Sequence, residues 1–373
     1  MIKKIYVAAT SQHVGKTTCT LGLTAALQQA GVNVGYCKPV GQKFVDLGDL
    51  KVDKDALLFS KVMGFELDEM LHSPVILGSG ATSAFLDSPN DFAFRQRIVS
   101  ACERLDRAHD IVVYEGTGHP GVGSVVNLSN AEVANIAGAG VIMIVEGGIG
   151  STIDELNMTT SLFRENKVPL VGVIINKVLP EKIEKVRSYV EKKLNEWDIP
   201  LLGILPYDKS LSNPIMETIN RAVRGYAIAN IDKLDNRVEN FMAGSLVEND
   251  ESEVDGDKNI LLVVSKKRLP KAVKKIRHIT EEKNLEGSPL SGIIITGDGR
   301  HEFNIDTDPL CGEYIRANKI PVVSTALDTL GSMVKINRIE VKINTRTPWK
   351  AARAIELIKN NVDLDFLLNS VGK

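Results

Sequence analysis

The sequence has no long apolar run, little net charge and few cysteines. No apolar stretch approaches the roughly 20 residues that a membrane-spanning helix needs, and polar residues interrupt the N-terminal apolar run too early for a secretion signal. Lysine and arginine number 45 against 47 acidic residues, so the net charge is -2 and gives no basic surface for nucleic acid. The four cysteines form no CxxC pair, which disfavours zinc and favours reduced thiols. We therefore expect a cytoplasmic protein that binds neither nucleic acid nor a membrane.

The alternation of apolar runs predicts an α/β protein with two domains. A chain of 373 residues is too long for one hydrophobic core. In the first half, short β-branched runs such as Val34–Lys38 and Gly140–Val145 alternate with helical patterns. This pattern is typical of a mostly parallel sheet with helices on both faces. We expect such a domain over residues 1–212 and a smaller α/β domain over residues 213–373.

An acidic segment lies inside the expected second domain. Between Val247 and Lys258 the chain carries six acidic residues: Glu248, Asp250, Glu251, Glu253, Asp255 and Asp257. Like charges repel one another, so this composition predicts a solvated, mobile loop at 247–258. A metal site or a partner site is the alternative interpretation.

A phosphate-binding loop is the strongest chemical signal. Residues 9–18 read Ala-Thr-Ser-Gln-His-Val-Gly-Lys-Thr-Thr and lie between a predicted strand and a predicted helix. Backbone N–H groups of such a loop and of the helix start face phosphate, Lys16 can reach the β- and γ-phosphates, and the Thr17 hydroxyl can bind Mg²⁺. The first glycine of the motif is replaced by Thr10. The expected nucleotide contacts are Thr10, Ser11, His13, Val14, Gly15, Lys16, Thr17 and Thr18.

Three further charged residues are expected near this loop. Glu115 ends a predicted strand, where its carboxylate can hold magnesium. Asp55 is either a second magnesium ligand or an ordinary acidic residue at a helix start. Lys38 ends another strand, and it is either a structural lysine or a cation that stabilises transferring phosphoryl charge.

A glycine-rich loop follows Glu115. Residues Gly116–Gly121 fit the pattern GxGxxG, which is also found in dinucleotide-binding proteins. No helix is expected to open there, because Pro120 and further glycines follow, so we reject that interpretation. We expect the loop to admit substrate, with His119 as either a substrate contact or a plain loop residue.

Together these residues resemble the dethiobiotin synthetase family of P-loop proteins over residues 1–212. The motifs that carry the resemblance are Thr10–Thr17, Lys38-Pro39-Val40, Asp55-Ala56, Glu115-Gly116-Thr117-Gly118, Asn176-Lys177-Val178 and Gly203-Ile204-Leu205-Pro206. The resemblance implies a P-loop NTPase-type fold and an ATP·Mg²⁺ site. It implies catalytic roles for Lys16, Lys38 and Glu115, and magnesium ligation by Thr17, Asp55 and Glu115. It also implies adenine recognition by Asn176 and a place for Pro206 in the nucleotide site.

The P-loop departs from two related patterns. Ser11 and His13 stand where dethiobiotin synthetases have acidic residues, which argues against their diamine substrate. Ser11 also replaces the signature lysine of Min-type ATPases.

The second half resembles a DRTGG domain over Pro214–Asn337. Lys267-Arg268 stands where Asp-Arg is expected, and Thr296-Gly297-Asp298 replaces Thr-Gly-Gly. The order of the two domains is similar to the N-terminal regulatory part of long phosphotransacetylases. Because the sequence ends at Lys373, we expect no acetyltransferase domain.

Two functions remain open at this point. The domain order favours a nucleotide-dependent regulatory or sensor protein. The set of site residues favours an ATP-dependent ligase of the dethiobiotin synthetase or cobyrinic acid a,c-diamide synthase type, which phosphorylates a carboxylate or carbamate. A small carboxylate or other metabolite is the expected partner, and the P-loop class implies a homo-oligomer.

Overall fold

The computed structural model describes residues 3–243, 258–297 and 308–371. The chain divides into two compact units, Met1–Asp208 with Ile343–Lys373, and Lys209–Lys342. The second unit is therefore inserted into the chain of the first. The acidic residues 248–257 and Asp298 lie outside the described residues, so the loop expected at 247–258 stays a prediction.

The strands are numbered in chain order. They are β1 Lys4–Ala9, β2 Val34–Cys37, β3 Val40–Gly41, β4 Phe44–Asp46, β5 Lys51–Asp53, β6 Val75–Ile76, β7 Ile111–Glu115, β8 Gly140–Glu146, β9 Leu170–Val178, β10 Leu201–Pro206, β11 Tyr226–Ala229, β12 Asn240–Ala243, β13 Ile260–Ser265, β14 Leu290–Thr296 and β15 Val322–Ser324.

The α-helices follow the same numbering. They are α1 Lys16–Gln29, α2 Lys54–Met63, α3 Glu69–His72, α4 Ala81–Asp87, α5 Phe94–Ala108, α6 Asn130–Ala137, α7 Gly150–Glu165, α8 Ile183–Glu196, α9 Lys209–Ser212, α10 Met216–Ala222, α11 Leu269–Glu282, α12 Pro309–Ala317, α13 Thr329–Asn337, α14 Pro348–Asn361 and α15 Leu364–Val371. Within the described ranges, none of these helices is long and apolar enough to cross a bilayer.

The first unit is built on a six-stranded parallel sheet of order β10-β9-β8-β1-β7-β2. Helices cover both faces, with α1, α2, α14 and α15 on one and α5, α6, α7 and α8 on the other. In β1, Ile5 and Val7 pack in the apolar core on the α1 side of the sheet, and Tyr6 packs in the apolar core on the α5 side. A strand buried on both faces needs apolar residues at every position, which explains its continuous apolar run. The predicted P-loop NTPase-type fold is confirmed.

The second unit contains a five-stranded sheet of order β11-β15-β14-β13-β12, in which only β11 is antiparallel to its neighbour. Apolar residues of α11 and α12 pack on one face of this sheet. Residues of α10 and α13 pack on the other face. This is the smaller α/β domain expected from the sequence.

The C-terminal segment lies in a different unit from the one that the sequence suggests. The sequence assigns residues 343–373 to the second domain, but in the structure they belong to the first unit. Ala354 and Ile358 of α14 join the apolar core that contains α1. Val362 also forms an antiparallel bridge with Gly203 on the edge strand β10. The segment packs on the first unit because it covers an apolar face of α1 and the edge of β10, both of which would otherwise face water.

Candidate functional site

The sheet order brings the predicted site residues to one edge. β1 lies between β7 and β8, and β2 pairs with β7 on the outer side. All these strands are parallel, so their carboxyl ends meet at the same edge. This edge carries the P-loop after β1, Glu115 at the end of β7 and Lys38 after β2. A carboxyl edge is where open α/β sheets bind ligands.

The loop between β1 and α1 contains two residues with left-handed backbone. His13 has a φ of 66° and Gly15 a φ of 93°. A Cβ on Gly15 would lie 2.2 Å from Asn176 Nδ2, so glycine is required there. α1 begins at Lys16, and the N–H groups of its first turn have no partner within the helix. The loop and helix start therefore offer donors for an anion.

Glu115 is the centre of the polar cluster. Its side chain is fully buried, and Oε1 accepts from Lys16 Nζ at 2.8 Å, Thr17 Oγ1 at 2.7 Å and Lys38 Nζ at 3.1 Å. Oε2 accepts from the Tyr36 hydroxyl at 3.0 Å. Four donors thus hold this one carboxylate in place.

Burial and charge have opposite effects on the pKa of Glu115. Burial raises it, but the cations of Lys16 and Lys38 outweigh burial and lower it to about 2. Burial lowers the pKa of Lys16, and Lys38 adds to this effect by repulsion. For Lys38, burial also acts downward, but attraction by Asp55 and Glu115 raises its pKa well above the usual value. The two lysines differ because Lys38 bonds two carboxylates and Lys16 bonds one.

Lys38 also connects Glu115 to the start of α2. Its Nζ donates to Asp55 Oδ2 at 2.6 Å. Asp53 caps α2 by accepting from the Asp55 N–H at 2.9 Å. Burial raises the pKa of this capping carboxyl to about 6. The cap fixes the first turn of α2 and with it the position of Asp55.

The residues fit a magnesium site completed by phosphate and water. Lys38 Nζ bonds both Asp55 and Glu115, so the two carboxylates can face one cation. The Thr17 hydroxyl lies beside the same oxygen of Glu115. Oxygen donors of this kind are those that magnesium prefers. Among the described residues no group of three His, Cys, Asp or Glu side chains forms a metal cluster, so further ligands would be phosphate oxygens and water.

A buried asparagine supports the loop after Glu115. Asn130 Oδ1 accepts from the Tyr6 hydroxyl and from the Thr117 N–H, each at 2.8 Å. Its Nδ2 donates to the carbonyls of Thr117 at 2.8 Å and His119 at 2.6 Å. The loop also accepts a hydrogen bond from Lys16 Nζ through the Gly116 carbonyl. No α-helix opens directly after this loop: a 3₁₀ turn spans Ser124–Val126, and α6 begins only at Asn130.

The other residues predicted to contact the nucleotide differ in burial and in their position on the sheet. Thr10 is buried and its hydroxyl donates to Glu155 Oε2 at 2.9 Å, whereas Ser11 is exposed. Val14 is buried and Thr18 is half-buried in α1. Pro206 ends β10, the edge strand separated from β1 by β9 and β8. Their nucleotide contacts stay predictions.

Asn176 and Lys177 contact the P-loop backbone from the end of β9. Asn176 Nδ2 donates to the Val14 carbonyl at 2.8 Å. Lys177 Nζ donates to the His13 carbonyl at 2.7 Å and pairs with Glu146 at 3.2 Å. The amide of the residue predicted to recognise adenine is therefore also bound to the phosphate loop.

Sequence reasoning missed the buried partners of the cluster. Tyr36 lies two positions before Lys38, and alternate residues of a strand share a face, so this spacing was a usable signal. Asn130 lies 15 residues beyond Glu115 in the sequence, at the start of a helix with its own capping box at Ser129 and Glu132. No local pattern indicates its contacts with the glycine loop.

Comparisons with known proteins agree with this fold. Residues 3–215 match the family described as an AAA domain. The chain is 23% identical over 409 residues to the phosphate acetyltransferase of Haemophilus influenzae, covering 100% of this chain and 53% of that protein. It is 27% identical to the ATP-dependent dethiobiotin synthetase of Salmonella typhimurium, covering 56% of this chain and 87% of that protein.

Among solved structures, the septum site-determining protein MinD of Pyrococcus horikoshii, complexed with Mg-ADP, is similar to part of the chain. It covers 57% of this chain and 84% of its own, with 17% identity and a TM-score of 0.37.

The chain spans about half the length of the phosphate acetyltransferases it matches. The family match covers the six-stranded sheet together with the P-loop, Lys38, Asp55 and Glu115. The whole chain is homologous to the N-terminal half of phosphate acetyltransferases. By this match, the chain belongs to the AAA-domain family of dethiobiotin synthetase-like P-loop proteins.

Proposed function

We propose that this protein binds ATP with magnesium at the Lys16–Glu115 cluster and acts as a nucleotide-dependent regulatory protein. The observation that carries the proposal is the convergence of Lys16, Thr17 and Lys38 on one buried carboxylate oxygen of Glu115. Lys16 and Thr17 lie in α1, Lys38 follows β2, and Glu115 ends β7. A surface lysine at a helix start would not need this arrangement.

In this proposal the side chains of the cluster exchange partners. Lys16 leaves Glu115 and binds the β- and γ-phosphates, while the helix start and the loop N–H groups bind phosphate oxygens. Thr17, Asp55 and Glu115 would hold the magnesium ion, which would offset charge on the phosphates. The Tyr36 hydroxyl keeps Glu115 oriented by its hydrogen bond to Oε2 of that carboxylate.

Two features support a regulatory role. The similarity to phosphate acetyltransferases extends over the inserted unit as well as the P-loop unit. The helix that follows the inserted unit, α14, packs on α1, and a Cβ on Gly22 would lie 2.6 Å from the Ala354 carbonyl. A shift of α1 on nucleotide binding would therefore move α14, which belongs to the segment that follows the inserted unit in the sequence.

We also propose a preference for adenine over guanine. Leu179 stands where an Asn-Lys-x-Asp guanine signature has its aspartate. The site thus lacks the carboxylate of that signature. Competition of ATP and GTP for a fluorescent analogue tests the preference, and tighter GTP binding would contradict it.

A second candidate function is an ATP-dependent ligase. Lys38 favours it, because a buried cation between two carboxylates can stabilise charge on a transferring phosphoryl group. The substrate would be a small carboxylate or carbamate, and an amine or amide would displace the phosphate. The similarity to a dethiobiotin synthetase over 87% of that protein supports this alternative.

Thermal shift and phosphate release test the proposal together. ATP·Mg²⁺ should stabilise the parent by about 2.7 kcal/mol at a hundred times its dissociation constant. Lys16→Ala should lose that shift, whereas Lys193→Met, which removes a lysine paired with Glu196 on α8, should keep it. An equal shift in Lys16→Ala and parent would show that the phosphate site is elsewhere. Phosphate release that depends on an added carboxylate and amine would favour the ligase.

A further inference from the structure

We propose that Asn176 and Lys177 hold the P-loop in its phosphate-binding conformation, so that the end of β9 sets affinity for the phosphate chain independently of the base. The inference rests on the proposed nucleotide site. It assigns a positioning role to Lys177, which has had none, and a second role to Asn176.

The two side chains bind consecutive carbonyls of the loop. Lys177 Nζ donates to the His13 carbonyl at 2.7 Å and Asn176 Nδ2 donates to the Val14 carbonyl at 2.8 Å. In a trans peptide, the carbonyl of one residue and the N–H of the next point in opposite directions. Fixing both carbonyls toward β9 therefore turns the N–H groups of Val14 and Gly15 away from β9.

Those N–H groups remain available for a ligand. Within the described ranges, neither the Val14 nor the Gly15 N–H donates to a protein acceptor. Successive N–H groups that point to one side form an anion-binding concavity. The two side-chain contacts thus prepare donors for phosphate before nucleotide arrives.

The backbone on both sides of the contact supports a built arrangement. His13 has a φ of 66° and Lys177 a φ of 59°. Both residues of this contact therefore adopt the left-handed region, which is uncommon for residues other than glycine. Gly15 lies directly against Asn176 Nδ2, leaving no space for a side chain. Glu146 pairs with Lys177 at 3.2 Å from the neighbouring strand and limits where the ammonium can lie.

The test compares ligands with and without a base. Titration calorimetry should show that Lys177→Met weakens both ATP·Mg²⁺ and magnesium tripolyphosphate about tenfold, the scale of one charge-assisted hydrogen bond. Asn176→Ala should also weaken tripolyphosphate. Lys177→Arg should restore binding, because its guanidinium can still donate to the His13 carbonyl. The control Lys193→Met, on α8, should bind both ligands as the parent does.

A ligand-free measurement separates positioning from simple charge attraction. The NMR ¹³Cβ shift of His13 reports its left-handed backbone, and it should move toward ordinary values in Lys177→Met but not in Lys193→Met. Weakened ATP binding with unchanged tripolyphosphate binding would overturn the proposal and leave a base-recognition role. Unchanged binding of both ligands, or an unmoved His13 shift, would also overturn it. A parent that binds neither ligand would refute the nucleotide site, and the His13 shift would still decide the positioning role.

Discussion

Lys38 Nζ lies 2.6 Å from Asp55 Oδ2 and 3.1 Å from Glu115 Oε1. One buried ammonium thus joins the carboxylate at the start of α2 to the carboxylate at the end of β7. Both carboxylates are candidate magnesium ligands, so this lysine keeps them together and offsets their repulsion. The contact explains how two residues 60 positions apart in sequence form a single site.

Lys38→Met should destabilise the protein by up to about 3–5 kcal/mol, because it removes one of the two cations that bond the buried carboxylate of Glu115. Millimolar Mg²⁺ without nucleotide should restore more of the melting temperature in this variant than in the parent, since a divalent cation can replace the ammonium. Differential scanning fluorimetry with and without Mg²⁺ checks both effects, with Lys193→Met as the control. Equal Mg²⁺ effects in variant and parent would contradict the shared site.

Glu115→Gln should retain ATP affinity within about tenfold, or 1.4 kcal/mol, but lose most ATP turnover if the protein has any. The amide keeps the size of the side chain and loses the charge that holds the metal against the phosphates. Calorimetry paired with phosphate release measures both quantities. Normal turnover in the variant would make the magnesium assignment wrong, and Asp55 would be the next residue to change. Binding without turnover in both parent and variant, whatever substrates are added, would remove the ligase alternative.

His72 should make stability depend on pH. Burial lowers the pKa of this stacked imidazole, whose ring centroid lies 4.5 Å from that of Phe65. The folded state therefore binds protons less readily than the unfolded state, where the pKa is about 6.5. Its contribution is present above that pH and is lost as the pH falls below it. His72→Gln should flatten the decrease in melting temperature between pH 7.5 and 5.5, and a decrease as steep as the parent's would contradict this.

Two helical glycines should respond to alanine with opposite signs. In Gly22→Ala, the new Cβ would lie 2.6 Å from both the Ala354 carbonyl oxygen and Ile358 Cγ1, so α14 must shift and about 1–3 kcal/mol of stability is lost. Gly150 begins α7 with nothing within 4 Å of a Cβ, so Gly150→Ala should stabilise by up to about 1 kcal/mol. Urea unfolding of both variants measures the difference. A neutral Gly22→Ala would show that α14 does not press on α1.

The sequence predicts the parallel sheet well, because its strands are apolar on both faces. Runs such as Ile5-Tyr6-Val7 and Gly140–Val145 require burial on both sides, whatever the rest of the chain does. The positions of the residues after these strands then follow from topology, which is why the strand pattern alone predicts that Lys16, Lys38 and Glu115 share one edge of the sheet. The local signal and the global fold agree at these positions.

Other contacts depend on sequence separations that no local pattern encodes. Lys177 reaches His13 across 164 positions and Asn130 reaches Tyr6 across 124. The packing site of residues 343–373 is likewise not encoded locally, because an amphipathic helix such as α14 can cover any apolar face that is available. Only the three-dimensional arrangement shows that its apolar residues meet those of α1.

The return of the C-terminal segment affects where the chain can be cut. A fragment that stops at residue 215, where the family match ends, would keep the P-loop but lose Ala354, Ile358 and Val362 from the core around α1. It would expose an apolar helix face and the unpaired edge of β10 at the same time, and both invite self-association. A shortened protein suited to crystallisation would instead delete residues 209–342 and join Asp208 to Ile343 through a short linker. The ion pair between Asp208 and Arg353 would then lie close to the new junction.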